Sequence, residues 1–357
     1  MKKYEIKLKI VTPCIMSGYN QKEAELRAPS IRGQLRHWFR VLGGSRTEET
    51  TLFGGIGASD SGAKSKIIVR VKTPTNEIIV SKKDGQKISG NKFDYFLWPL
   101  RGTRNNPNAG ERGIIEPQLI DISIIDKSNS TSFEKCLKAF LYLGALGSRS
   151  RRAYGSIFPE KVSCNGSDWK IPSSTEEFIE EIKQLQLKNI TILSIATAKN
   201  DWSLAVQACA NFLKAFRCGS KKSGTPSTWG LNDHDIVFDN SGTNYRAAIG
   251  LPLSQRYSSK GNFQTSIDRS APVADKGKKA KNDRWASPVF FKVVEFDGKF
   301  IPLVLFFKDY FIPEGTKVTV DNRNDRKFCK VSHDILWAMM DPDRHNEVKY
   351  SGAKTLI

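Results

Sequence analysis

The chain has no apolar run near the roughly 18 residues needed to cross a bilayer. Its first ten residues, Met1-Lys-Lys-Tyr-Glu-Ile-Lys-Leu-Lys-Ile10, alternate polar with apolar where a signal peptide would build a greasy core. A soluble, cytoplasmic protein that touches no membrane is expected. Six cysteines (14, 136, 164, 209, 218 and 329) are scattered and never form Cys-x-x-Cys. Neither a zinc site nor a disulfide framework is suggested, and the thiols read as reduced and mostly buried. Histidine is scarce, with four in 357 residues, and no metal or cofactor is expected. Acidic residues are short as well: 37 against 56 Lys plus Arg leaves a formal +19, with a pI near 9.6. A polyanionic partner is the simplest explanation. With 39% hydrophobic residues over this length, the chain can bury a real core in two domains of ordinary size.

The basic residues are not spread evenly. Between Glu25 and Arg40, four arginines surround an aromatic pair. Pro29-Ser30 is a helix-start signal, with Ser30 available as a cap. Arg32, Arg36 and Arg40 then recur every four residues and share one side of a helix. Leu35, Phe39 and Leu42, with Trp38 beside them, face a core. Gly33 costs up to about 1 kcal/mol of helix propensity, yet opens the helix start, where N–H groups and the dipole favour phosphate, to a close backbone.

A second basic stretch is Leu143-Gly-Ala-Leu-Gly-Ser-Arg-Ser-Arg-Arg-Ala-Tyr-Gly-Ser-Ile-Phe158. Gly144, Gly147 and Gly155 free the backbone to turn, while Arg149, Arg151 and Arg152 supply planar forks for phosphate. The combination suits a nucleic-acid backbone better than a small anion. Arg152 to Phe158 half-matches the aromatic motif of RNA-recognition sheets, but precedes the fourth strand instead of lying on the third, so no base stacking on Tyr154 is inferred.

The remaining pattern places these segments. Residues 3–12, 66–72, 119–125 and 154–162 read as strands, and a helix capped by Ser132 runs to about Leu146, with Phe133, Leu137, Phe140, Leu141 and Leu143 inward. Without a loop-rich insertion at 73–118, the order is β-α-β-β-α-β, that of a ferredoxin-like, RRM-like sandwich. The class is α+β, with a first domain at 1–165 and a linker at 166–188 holding a short helix from Thr175 to Gln186. In the second domain, 189–357, the pattern restarts less cleanly: a strand at 190–196, a helix at 204–216, a hairpin of 289–296 and 300–311 turning at Asp297-Gly298, and a closing helix from Asp334 to Met340. Residues 218–287 read as a long basic, irregular insertion, mobile without a ligand.

The two basic segments, in this order, resemble the RAMP superfamily of CRISPR effector proteins, in which a glycine-rich loop joins the second helix to the fourth strand of a ferredoxin-like domain. Thr12-Pro13, Glu25-Leu-Arg27, Ser30-Ile-Arg-Gly-Gln-Leu-Arg36, His37-Trp-Phe-Arg40 and Glu48 to Leu52-Phe-Gly54 are similar to the subunit-one family of type III-B (Cmr) complexes. So are Ile249-Gly-Leu-Pro-Leu253 and Arg284-Trp-Ala-Ser-Pro288. The resemblance implies a non-catalytic subunit with two ferredoxin-like domains, held among other Cmr-complex proteins near the 3′ end of the guide RNA and helping to capture single-stranded target RNA. It further implies RNA contacts from Arg32, Gly33 and Arg36, with Arg27 and Arg40 beside them, and from Gly147, Arg149, Arg151 and Arg152. Arg284, beside Trp285, would extend the surface, and Lys278, Lys279 and Lys281 would fold over bound RNA. The sequence departs from the family at Ala153, where another glycine is usual.

Two other readings stay open. Some superfamily members cleave RNA, and metal-free cleavage needs an acid or base near the 2′-hydroxyl; His37, among the arginines, is the candidate. Alternatively the basic faces dock other subunits, making the chain a scaffold. His234, within Asp233-His-Asp235, lacks a second ligand pair and reads as part of a capped turn. Gly57 to Ser65 imitates a phosphate loop, but Ala63 separates glycine from lysine and a strand follows where a helix is needed, so no nucleotide hydrolysis is expected.

Overall fold

A computed structural model describes residues 1–56, 62–84, 95–100, 111–220, 225–236, 242–251, 253–257, 261–267, 285–322 and 325–357. The chain forms two units. The first comprises Met1–Lys188, Thr197–Ala210 and Phe291–Leu303; the second comprises Asn189–Ala196, Asn211–Phe290 and Val304–Ile357. Both mix helices with largely antiparallel sheets.

In the first unit, strand β1 (Lys2–Ile10) buries Tyr4, Ile6, Leu8 and Ile10 and turns Lys3 and Lys7 outward, the two-residue alternation of a sheet with one covered face. Helix α1 (Ala28–Val41) is followed by the short helix α2 (Arg46–Phe53) and strand β2 (Ile67–Val71). A hairpin of β3 (Val80–Asp84) and β4 (Glu111–Ile115) stands where an insertion is expected. Strand β5 (Gln118–Asp126), helix α3 (Thr131–Leu143), strand β6 (Ile157–Cys164) and helix α4 (Thr175–Gln184) follow. The main strands order as β2-β5-β1-β6, each antiparallel to its neighbour. Register sets Ile6 opposite both Ile122 and Val162, so the central strand buries apolar side chains against both partners.

The helices bury their stripes as the period requires. Ile31, Leu35, Trp38 and Phe39 of α1 are buried, as are Phe133, Cys136, Leu137 and Phe140 of α3. The two helices meet where the Cys136 thiol donates to the Leu35 carbonyl at 3.1 Å. Helix α1 begins earlier than its sequence suggests: Arg27 is the cap residue, Pro29 lies in the first turn, and Ser30 is already helical. Proline is at home there, because its missing N–H would have no helical partner. Helix α3 ends at Leu143, with Gly144 as its C-cap.

In the second unit, β7 (Ile190–Ser194) pairs with Lys354–Thr355. Helix α5 (Trp202–Arg217) continues into this unit from Asn211, and α6 (Thr228–Ile236) follows. The Phe212 and Phe216 rings pack at a tilt with centres 5.1 Å apart, and both meet the buried His345 edge-on. Strands β8 (Leu253–Tyr257) and β9 (Gly261–Ile267) form a hairpin. Strands β10 (Val289–Phe296) and β11 (Lys299–Phe307), whose Phe291–Leu303 portion belongs to the first unit, form the expected second one, turning through Asp297 and Gly298 at φ 47° and 70°, the left-handed pair that suits a tight hairpin. Strands β12 (Lys317–Asn322) and β13 (Asp325–Val331) join β9 and β8 in a five-stranded sheet, with Thr243–Asn244 added parallel to β13 at the edge. Helix α7 (Asp334–Met340) closes the unit. The stretch 218–287 is therefore not wholly irregular: it contributes α6, β8 and β9, because pairing with β12 satisfies backbone groups that a polar sequence does not advertise.

Leu35 is fully buried in α1. Leu35→Ala is expected to cost about 2–5 kcal/mol through lost burial and the cavity left behind, read as a lower denaturant midpoint with an unchanged slope.

Candidate nucleic-acid interface

The exposed side of α1 carries the arginines in two different states. Arg32 is exposed and has no ion pair or side-chain hydrogen bond among the described residues, and a β-carbon at Gly33 would meet nothing within 4 Å. The helix start is thus open, with no acidic residue in its first turn, leaving its positive end uncompensated. Arg27, the cap residue, lies 3.6 Å from Glu25. Arg36 and Arg40 instead converge on one carboxylate: Arg36 Nε and Arg40 Nη1 donate to Glu49 Oε1 at 2.7 and 2.8 Å. Glu49 belongs to α2, whose start is fixed by a reciprocal Ser45–Glu48 capping box. Burial alone would raise the Glu49 carboxyl, but the two arginines outweigh it and hold it below the usual range.

The glycine-rich loop turns by repeated left-handed residues. Gly147, Arg149, Ala153 and Gly155 have φ of 76°, 62°, 64° and 65°. At Gly155 a β-carbon would collide with the Leu146 carbonyl. Ala153, where glycine is usual in the family, keeps the left-handed geometry with its methyl buried. The loop is tied to the residues after β1: Ser148 N–H donates to the Ile15 carbonyl at 2.7 Å and Gly155 N–H to the Pro13 carbonyl at 2.9 Å. The buried Thr12 hydroxyl donates to the Ala153 carbonyl at 2.6 Å and accepts from Ser156 N–H at 2.9 Å. The arginines are held as well. Arg149 Nε donates to the Phe96 carbonyl at 2.8 Å, and the Arg152 guanidinium lies 5.9 Å from the Phe291 ring centre while donating to the Arg151 carbonyl.

Helix and loop meet at His37. Burial is the largest cause that lowers its imidazole pKa, to about 4, and the positive charges of Arg151 and Arg40 lower it further. The ring also packs edge-on to Trp38 at 5.8 Å. At neutral pH His37 is an uncharged ring between two arginines and carries no imidazolium to act as an acid. Arg40 of the helix and Arg151 of the loop thus both act electrostatically on His37. Lys278, Lys279, Lys281 and Arg284 lie outside the described residues. Trp285 is described, and its indole N–H donates to the Tyr310 carbonyl at 2.7 Å. Asp233 accepts from the N–H groups of Tyr245 and Arg246, each at 2.9 Å, as a capping residue does. Among the described residues no cluster of three potential ligands could hold a metal ion, and no helix is long and apolar enough to cross a membrane.

Sequence reasoning missed Glu49, Phe96 and Lys292. Lys292 alone had a signal, as a single charge inside the apolar strand Val289-Phe-Phe-Lys-Val-Val294.

Residues 7–158 match the model of the RAMP superfamily. The chain is similar to the CRISPR system Cmr subunit Cmr1-1 of Pyrococcus furiosus, with 25% identity over 332 residues that cover 85% of this chain and 87% of the relative. The fold resembles the crystal structure of apo Cmr1 from Pyrococcus furiosus, with a TM-score of 0.57 at 16% identity over 99% of this chain and 98% of that one. A chain in the cryo-EM structure of type III-B Cmr-beta bound to cognate target RNA matches at a TM-score of 0.48 and 14% identity, over 97% of this chain and 99% of that one.

Gly155→Ala is expected to lose at least about 2 kcal/mol, from left-handed strain plus the clash with Leu146. Ala153→Gly, which trades a strained but buried methyl for a flexible residue, should stay within about 1 kcal/mol of the parent. Urea unfolding of both variants reads the contrast. For His37, the unfolded chain takes up a proton near its ordinary pKa of about 6.5, which the folded ring refuses until about pH 4. Stability contributed by this site is complete above the first value and lost as pH falls toward the second. Urea midpoints of the parent should therefore drop between pH 7 and 5 by more than those of His37→Gln.

Proposed function

We propose that the protein is a non-catalytic RNA-binding subunit of a type III-B CRISPR ribonucleoprotein, working in the cytoplasm beside other Cmr-complex subunits. In this reading it contacts guide RNA and helps capture single-stranded target RNA near the guide's 3′ end, recognising backbone charge and shape instead of sequence. The domains are two ferredoxin-like sandwiches at 1–165 and 189–357, with the linker at 166–188 and the basic insertions at 73–118 and 218–287. The relationship to Cmr1-1 and the RAMP match support the assembly. One observation carries the RNA role: Arg40 of the helix and Arg151 of the loop both act on an uncharged His37, which supports bringing the two basic segments into one positive surface with planar donors suited to phosphate.

The roles differ by residue. Arg32 and Gly33 offer an open helix start, Arg36 and Arg40 present guanidinium edges oriented by Glu49, and Arg27 flanks them. Gly147, Arg149, Arg151 and Arg152 approach the backbone from the loop; Lys278, Lys279, Lys281 and Arg284 complete the surface from the second insertion. A neutral His37 fits a binding surface better than an acid–base centre.

Purified protein titrated with labelled single-stranded RNA at two salt concentrations, with the same samples run on a denaturing gel, tests this reading. Salt-sensitive binding with intact RNA is expected. Arg32→Ala should weaken binding without lowering the melting temperature and reduce the log–log salt slope by about 0.7, one phosphate contact on a single strand. RNA cleavage, or no binding at either salt, would overturn the proposal.

A further inference from the structure

The glycine-rich loop between α3 and β6 closes at its base by an antiparallel bridge between Ala145 and Ser156, with Leu146 N–H donating to the Gly155 carbonyl at 2.8 Å. A strap from the far end of the same unit adds a second closure. Phe291 N–H donates to the Arg151 carbonyl at 3.2 Å, and Ala153 N–H donates to the Phe291 carbonyl at 3.0 Å, a parallel bridge between Arg152 and Phe291. Val293 N–H donates to the Ser156 hydroxyl at 3.1 Å. Between these residues, Lys292 Nζ donates to the carbonyls of Gly144 and Ile157, both at 2.7 Å. Gly144 caps α3 and Ile157 opens β6, so one amino group bonds both feet of the loop. Beyond it, Glu295 pairs with Lys9 of β1 at 2.6 Å, and the Phe296 ring meets Phe158 at 5.3 Å.

This is a costly arrangement for lysine. The side chain is 1% exposed, its two hydrogen-bond partners are neutral carbonyls, and burial drives its pKa well below the ordinary value. An apolar residue would continue the strand's pattern and avoid that penalty. What lysine supplies is a donor long enough to bridge two carbonyls, one of them at the negative end of a helix, where a donor is favoured.

Resting on the RNA-binding reading above, we propose that Lys292 is a positioning residue for the RNA surface: it fixes the span from Gly144 to Ile157 so that Arg149, Arg151 and Arg152 are presented together. It touches no RNA itself. Its effect on affinity passes through the loop arginines, which separates it from a residue that merely stabilises the fold.

The test uses the full-length protein, single-stranded RNA of fixed length as the probe, and Lys292→Met, which keeps the volume and removes both hydrogen bonds. Far-UV circular dichroism and a cooperative melt establish that the variant is folded. Amide hydrogen exchange at 145–156 should then accelerate at least tenfold while exchange in β1 and β5 is unchanged, and RNA affinity should fall about tenfold. Adding Lys292→Met to a variant already lacking the three loop arginines (Arg149→Ala, Arg151→Ala, Arg152→Ala) should cost no further affinity. A folded Lys292→Met that binds RNA like the parent would overturn the proposal and leave the RNA reading intact; failure of the parent itself to bind RNA would instead overturn that reading. A further loss of affinity in the combined variant would also overturn the proposal, by locating the effect outside the loop. If Lys292→Met does not fold, Lys292→Gln, which retains one donor group, takes its place with the same expectations. Collapse of both would assign Lys292 to general stability and end the positioning role.

Discussion

Four left-handed residues within the nine positions from Gly147 to Gly155 impose the constraint to which the first unit answers. A chain that reverses direction so often pairs with itself at only a few points, such as Leu146 with Gly155 and Arg152 with Arg149, and its other buried N–H and carbonyl groups must find partners elsewhere. They find them in Thr12, Pro13 and Ile15 on one side and in Phe291 to Val293 on the other. The Thr12-Pro13 motif therefore has a structural meaning: a hydroxyl that bonds the loop and a carbonyl freed from the β1 ladder to receive it. The arginines are by-products of that geometry in the best sense, since a loop fixed at this many points presents side chains whose positions are already chosen.

Charge is arranged with similar economy. One buried carboxylate, Glu49, serves two arginines on successive turns of α1, while Arg32 on the preceding turn makes no ion pair among the described residues. The face is thus graded along the helix, fully cationic at the start and partly neutralised toward the end. The guanidinium groups on the later turns are already oriented by Glu49, so an anion meeting them would not have to order two long side chains first.

Much of this was legible. The period of Leu35, Trp38 and Phe39 identified the buried stripe of α1, alternation identified β1, and the interleaved glycines and arginines marked the loop. The start of α1 was misread because Pro29 was taken as a boundary when it tolerates the first turn. The sheet formed by β8, β9, β12 and β13 was missed because its strands are short, polar and paired at long range, so its hydrophobic signal is weak. Glu49 could not be anticipated as the shared partner: nothing in a list of residues says that α2 folds back to bring its carboxylate beneath Arg36 and Arg40. Lys292 was the reverse case, a conspicuous charge in an apolar run whose meaning depended on carbonyls 135 and 148 residues away.

That separation has a bearing on how the protein is made. Chains emerge from the ribosome at about 5–20 residues per second, so the 135 residues between Ile157 and Lys292 amount to a wait of roughly 7 to 27 s. During that interval α1, α3 and the sheet of the first unit have every residue they need, and the loop between α3 and β6 has its contacts to Thr12, Pro13 and Ile15, but those to Phe291, Lys292 and Val293 are still missing. The loop arginines are encoded early, and the last of the loop's hydrogen bonds wait until most of the chain has been synthesised.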